Sequence, residues 1–161
     1  MAIFRTFVTI FKINGMEKLL HYIWKHRILP LRALQTTDGQ EVEIVDAGLS
    51  NPNAGPDFFN AKVRIGGTMW AGNVEIHLKS SDWYRHGHDS DEAYNNVILH
   101  VVNVVDSKVT TQSGKELPQL QLDIPAQLAQ SYGQLQQTDD YPRCYKIIPK
   151  IEQFTAHSWM D

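Results

Sequence analysis

Apolar and polar positions along this chain change their period repeatedly, and each change marks an element. From residue 16 to 28 the apolar side chains Leu19, Leu20, Ile23 and Trp24 recur at helical spacing, with Glu17, Lys18, Lys25 and Arg27 elsewhere on the wheel. The spacing predicts an amphipathic helix stopped by Pro30. Residues 31–36 and 41–47 read as short strands around Asp38-Gly39, a strong hairpin signal. Residues 48–56 are rich in Gly, Pro, Asn and Ser and predict a loop. Strands at 58–65 and 68–78 then form a second hairpin about Gly66-Gly67. In its second strand Val74, Ile76 and Leu78 alternate with Glu75, His77 and Lys79, so the polar trio shares one face.

Residues 80–96 are polar, with Asp89 as the expected N-cap of a short helix through Tyr94. Residues 97–105 are almost continuously Val, Ile and Leu, the mark of a strand buried on both faces, and His100 interrupts them. A last strand is expected at 117–124, a short helix at 125–132 closed by Gly133, and a polar linker at 134–142. The order predicts an α+β or α/β protein: a helix followed by a mixed, mostly antiparallel central sheet with flanking helices. Residues 1–15 read as a frayed or misassigned N-terminal arm and 16–133 as a single α/β domain. Residues 134–161 read as a linker and the start of a truncated C-terminal segment, still apolar at Phe154, Trp159 and Met160.

Composition narrows the picture. A chain of 161 residues fits one domain and can bury a sizeable core. Hydrophobic content of 42% with 20% charged residues is that of a soluble globular protein. A net charge of −3 argues against a broad, non-specific grip on nucleic acid, although Lys18, Lys25, His26, Arg27 and Arg32 cluster early. Cys144 is the only cysteine, which excludes an intrachain disulfide and points to a reducing cytoplasm. The apolar start is broken by Arg5 and Lys12 and is too short to span a membrane. The oligomeric state is open.

The candidate chemistry lies between Asp57 and His100. Asp57 follows Gly55-Pro56 at the start of one strand, and Glu75 stands late in the next. Two carboxylates so placed can hold Mg²⁺ or Mn²⁺ against a phosphodiester, with His77 or Lys79 positioning or deprotonating water. A turn near Gly67 sets Asp57 roughly opposite Ile76 or His77. Parity opposes the pairing, because Asp57 alternates in step with apolar Val63 and Ile65; a bulge near Phe58-Phe59 would reset it. The plain alternative is a turn aspartate and a solvated strand glutamate.

A second cluster follows. Four of the chain's seven histidines, His77, His86, His88 and His100, fall within a short stretch, with Asp91 three residues after His88. Such a set can bind zinc or iron if the fold brings it together. His100 is either a core histidine bonded through both ring nitrogens or a ligand or orienter of one. Trp70, Trp83 and Tyr84 would stack on a base or sugar, or pack the core. No G-x-x-x-x-G-K phosphate loop and no G-x-S-x-G elbow occur, and nothing near Cys144 would activate it, which excludes the common nucleophilic designs.

Gly55-Pro56-Asp57-Phe58, Gly72-Asn73-Val74-Glu75-Ile76-His77, Ser81-Asp82-Trp83-Tyr84 with His86 and His88, and Val97-Ile98-Leu99-His100-Val101-Val102 resemble the bacterial family called domain of unknown function 2851. That resemblance covers about residues 16–125 and implies no established activity. A looser resemblance is to the PD-(D/E)XK phosphodiesterase superfamily, whose core runs αβββαβ, as in restriction endonucleases. It implies metal-ligand roles for Asp57 and Glu75, puts His77 at the lysine position with Lys79 two residues on, and matches Glu17 to an acid some members carry. The expectation is a Mg²⁺-dependent phosphodiesterase or nuclease-like domain acting on nucleic acid, supported by Glu17, His86, His88, Asp91 and His100. The alternatives are a zinc-type hydrolase built on the histidines and a non-catalytic structural or partner-binding module.

Overall fold

The computed structural model describes residues 15–28 and 33–124. The arm, the helix expected at 125–132, the linker, the C-terminal segment and Cys144 lie outside the described residues. Helix α1 covers 15–25 and buries Leu19, Leu20, Ile23 and Trp24, the four apolar positions of the helical stripe. It ends before Pro30 is reached. Arg27 adopts φ 51°, and Ile28 N–H bonds Ile23 O at 2.9 Å while Arg27 N–H bonds Trp24 O at 3.0 Å, a Schellman closure with arginine where glycine is usual.

The strands are β1 (Leu34–Gln35), β2 (Glu41–Asp46), β3 (Leu49–Ser50), β4 (Phe58–Ile65), β5 (Thr68–Lys79), β6 (Val97–Val104) and β7 (Gln119–Gln121). They form one seven-stranded sheet in the order β1-β2-β4-β5-β6-β7, with β3 paired to β4. The pairs from β1 to β5 are antiparallel, and β5-β6 and β6-β7 are parallel. Its two ends approach each other: Thr36 bridges Leu120, and Thr37 N–H bonds Gln119 O at 2.9 Å. The result is an α+β protein with a mixed, nearly closed sheet and few helices. The flanking helices between β5 and β6 shrink to α2 (Asp82–Arg85) and a 3₁₀ turn, Glu92–Tyr94. Asp91, not Asp89, caps that turn, its side chain accepting from Ala93 N–H. The strand expected at 117–124 pairs only over Gln119–Gln121. No helix among the described residues is long and apolar enough to cross a membrane.

Two irregularities position the site. Phe58 pairs with Val74 and Ala61 with Gly72, so β4 carries one extra residue, and Asn60 takes φ 56° there. This bulge returns Phe58 to the face of Ala61, Val63 and Ile65 and sends Asp57 to the opposite one. On β6 the register shifts between Val97 and Leu99, which leaves His100 beside Glu75. One sheet face packs on α1 through Phe58, Val63, Val74, Ile76, Leu99 and Val101. The other is covered by Trp83, Tyr94, Val97, Val109 and Leu117.

Candidate metal centre

Strand β5 alternates so strictly that Val74 and Ile76 enter the α1 core while Glu75 and His77 point under the β5-β6 connection. That connection folds back over the strand end. Trp83 anchors it by donating Nε1–H to Thr110 O at 3.0 Å, and Asp82 accepts from Lys79 N–H at 3.2 Å and pairs with Arg85 at 3.0 Å. His86 and His88 are thereby carried onto His77.

The imidazoles and one carboxylate oxygen converge. His77 Nε2 lies 3.1 Å from His86 Nδ1 and 3.4 Å from Glu75 Oε1, and His88 Nε2 lies 3.2 Å from the same oxygen. His88 Nε2 nevertheless has no aligned hydrogen-bond partner. One ligand atom from each of His77, His86 and His88 lies within 4.8 Å of the others. Donors held about 2.0–2.1 Å from a tetrahedral ion stand about 3.3 Å apart. The separations fit that arrangement, and His77, His86 and His88 together could hold a metal ion.

A surrounding layer holds these groups in place. Glu75 Oε2 accepts Asp57 N–H at 3.0 Å, which leaves Oε1 for the histidines. Asp57 Oδ2 accepts Ile76 N–H at 2.9 Å and sits 3.3 Å from His21 Nε2. His100 is fully buried at 0% exposure, its Nε2 2.8 Å from His77 Nδ1 and its own Nδ1 without a partner. It is therefore bonded through one ring nitrogen, not both, and that bond orients His77. The rings of His77, His88 and Tyr94 form a stack, with centroids 5.3 Å and then 3.8 Å apart.

Burial sets the charges. It holds His77 down to about 2 and His100 down to about 3, with the neighbouring histidines adding to the effect. His86 is also lowered, by burial and then by the Arg85 charge. Glu75 is raised by desolvation and by the Asp57 charge, against the opposing pull of His88. Glu17 is raised chiefly by desolvation. Burial works against charge on His21, but Asp57 and Glu17 outweigh it and raise its pKa. A neutral imidazole such as that of His77 is the form that ligates a cation.

A cleft of about 360 Å³ opens over the cluster, lined by Glu17, Asp57, Glu75, His77, His86, His88, Asp91 and Tyr94, with the Asn53–Gly55 loop as one wall. Of the residues singled out in the sequence, Lys79 does not line the cleft: it is exposed at the end of β5. His100 stands behind the cleft, and Trp70 and Tyr84 are exposed elsewhere. His21 and Tyr94 are the residues the pattern missed. His21 lies one turn after Glu17 on the same helix face, a signal the sequence does carry. Tyr94 has none, because only the tertiary fold lays it on His88.

The chain belongs to the family described as Protein of unknown function (DUF2851), whose model matches residues 17–161. No curated protein and no solved structure matches it.

Proposed function

We propose that this DUF2851 member is a divalent-metal-dependent hydrolase of phosphodiesters, its ion held by Glu75, His77, His86 and His88. The convergence of three imidazoles and one carboxylate oxygen in one cleft carries this reading. The donor set revises the Mg²⁺ expectation. Mg²⁺ takes oxygen ligands, whereas three nitrogens and one oxygen suit Zn²⁺, Mn²⁺ or Fe²⁺.

A divalent ion bound there supplies Lewis-acid polarisation of a phosphoryl oxygen. The chain's own residues do the rest. Asp57 orients Glu75 through its backbone N–H and is itself held by Ile76 N–H and His21. His100 fixes the ring of His77. Glu17, partly desolvated and held above its usual pKa at the cleft wall, is the group suited to accept a proton from the attacking water. His77 serves as a ligand here and not as the base, because His100 occupies its Nδ1 and its Nε2 lies beside Glu75 Oε1 and His86.

Phosphodiester as the substrate class, with nucleic acid as its expected source, is taken by analogy with the PD-(D/E)XK order of parts. Helix α1 precedes the antiparallel run β2, β4, β5; then come α2 and the parallel strand β6, with Asp57 before β4 and Glu75 on β5. The test is elemental analysis of the purified full chain, followed by cleavage of labelled single- and double-stranded DNA and RNA with Zn²⁺, Mn²⁺ or Mg²⁺. One transition-metal ion per chain, and cleavage lost in Glu75→Gln, are expected. A wild-type protein that retains no metal and cleaves nothing would instead make the cluster a structural network in a non-catalytic module.

A further inference from the structure

We propose that Tyr94 is a substrate-contacting residue of this site: its phenolic O–H donates a hydrogen bond to an anionic oxygen of a phosphate ester lodged in the cleft. The inference rests on the hydrolase reading above and extends it to a residue that binds no metal.

Three observations point there. The ring is locked, only 7% exposed, stacked 3.8 Å from His88 at an interplanar angle of 22°, and met edge-on by Trp83 at 5.7 Å. It lines the same cleft as Glu75, His77 and His86. A largely buried tyrosine ordinarily spends its hydroxyl on a hydrogen bond within the fold. Among the described residues this one makes none, and its oxygen is not among the buried polar atoms sealed away without a partner. The hydroxyl is therefore unspent and not sealed away, on a residue that lines the cleft.

Its surroundings decide what it can do. A phenol is protonated near neutral pH, so its hydroxyl enters the cleft chemistry as a neutral donor. A neutral O–H donor amid carboxylates has no use for another cation, but it can offset part of the repulsion that Glu17, Asp57 and Asp91 exert on an incoming phosphate. Because the ring is fixed before substrate arrives, the bond forms with little loss of side-chain freedom.

The test uses Tyr94→Phe in the full chain, which keeps the stack and removes one oxygen. Metal content by elemental analysis and the thermal midpoint should match wild type. Calorimetric titration of the metal-loaded protein with inorganic phosphate should show binding weakened about tenfold. Turnover of bis(4-nitrophenyl) phosphate should fall about a hundredfold. Unchanged phosphate affinity and turnover in Tyr94→Phe would overturn the inference and leave the hydrolase reading standing. So would a wild type that holds its metal but binds no phosphate. Loss of metal from Tyr94→Phe would overturn it too, by placing the hydroxyl in the support of the cluster. A wild type without metal would overturn both.

Discussion

The two faces of strand β5 are equally buried and chemically opposite. Val74 and Ile76 on one side are 0% and 1% exposed, and Glu75 and His77 on the other are 4% and 2%. On the α1 side the burial is a gain, because apolar surface leaves water and meets close packing. On the histidine side Glu75, His77, His88 and His100 leave water, and a ring nitrogen of His88 and of His100 is left without a partner, which costs free energy. One strand thus serves as both scaffold and site. Equal burial, read with opposite chemistry, separates what holds the fold from what the fold is for.

The sharpest way to test that contrast is to damage the apolar face alone. Phe58→Ala removes a fully buried ring between α1 and the sheet and should cost about 3–5 kcal/mol, read by chemical denaturation. Metal content of the fraction that stays folded should not change. Metal loss larger than the unfolded fraction accounts for would show that the two faces are not separable.

Acid should act through the other face. His77 and His100 titrate at about 2 and about 3 in the folded chain and near 6.5 when unfolded. Below about pH 6.5 the unfolded state binds protons that the folded state refuses, so stability falls with pH toward the folded values. Each histidine contributes at most about 1.4 kcal/mol per pH unit. Glu75 works the other way, since its raised pKa keeps a proton on the folded state above the usual carboxylate range. The check is urea denaturation from pH 7 to 4 with chelator present. A flat profile would mean that the histidines are not held neutral by burial.

A smaller effect should come from the bulge that joins the faces. Asn60 is exposed, so Asn60→Val changes little packing, but a β-branched residue at φ 56° should cost about 1–2 kcal/mol. If the bulge is what sends Asp57 to Glu75, metal affinity should drop further than stability does. Equal losses in both would show that the bulge does not position Asp57 for the metal.

The smallest change in stability is expected for Glu75→Gln in chelator, within about 1 kcal/mol of wild type and in the stabilising direction, because it relieves repulsion between two carboxylates. Metal retention should be lost in the same variant. A large destabilisation without metal would mean that Glu75 belongs to the scaffold after all.

The sequence by itself determined the elements whose patterns are local. The α1 stripe, the β4-β5 hairpin and the buried run of β6 were all legible, because helical spacing, strict alternation about Gly66-Gly67 and continuous Val, Ile and Leu each impose one solution. The same alternation placed Glu75 and His77 on one face, and motif position drew attention to Asp57, His86 and His88. The parity conflict at Asp57 called for a bulge near Phe58-Phe59, and the structure has one between Phe58 and Ala61; its exact position and the closure of the sheet lay beyond the sequence. Alternation alone does not put the extra residue at Asn60, β3 is too short to show a period, and the bridge from Thr36 to Leu120 joins the two ends of the sheet. Those features decided which side chains meet. They turned Asp57 toward Glu75, left Lys79 outside, and laid His21 and Tyr94 against the cluster. The reason is physical: alternation fixes which face a side chain takes within its own strand, while contact between strands depends on register, which one inserted residue reverses.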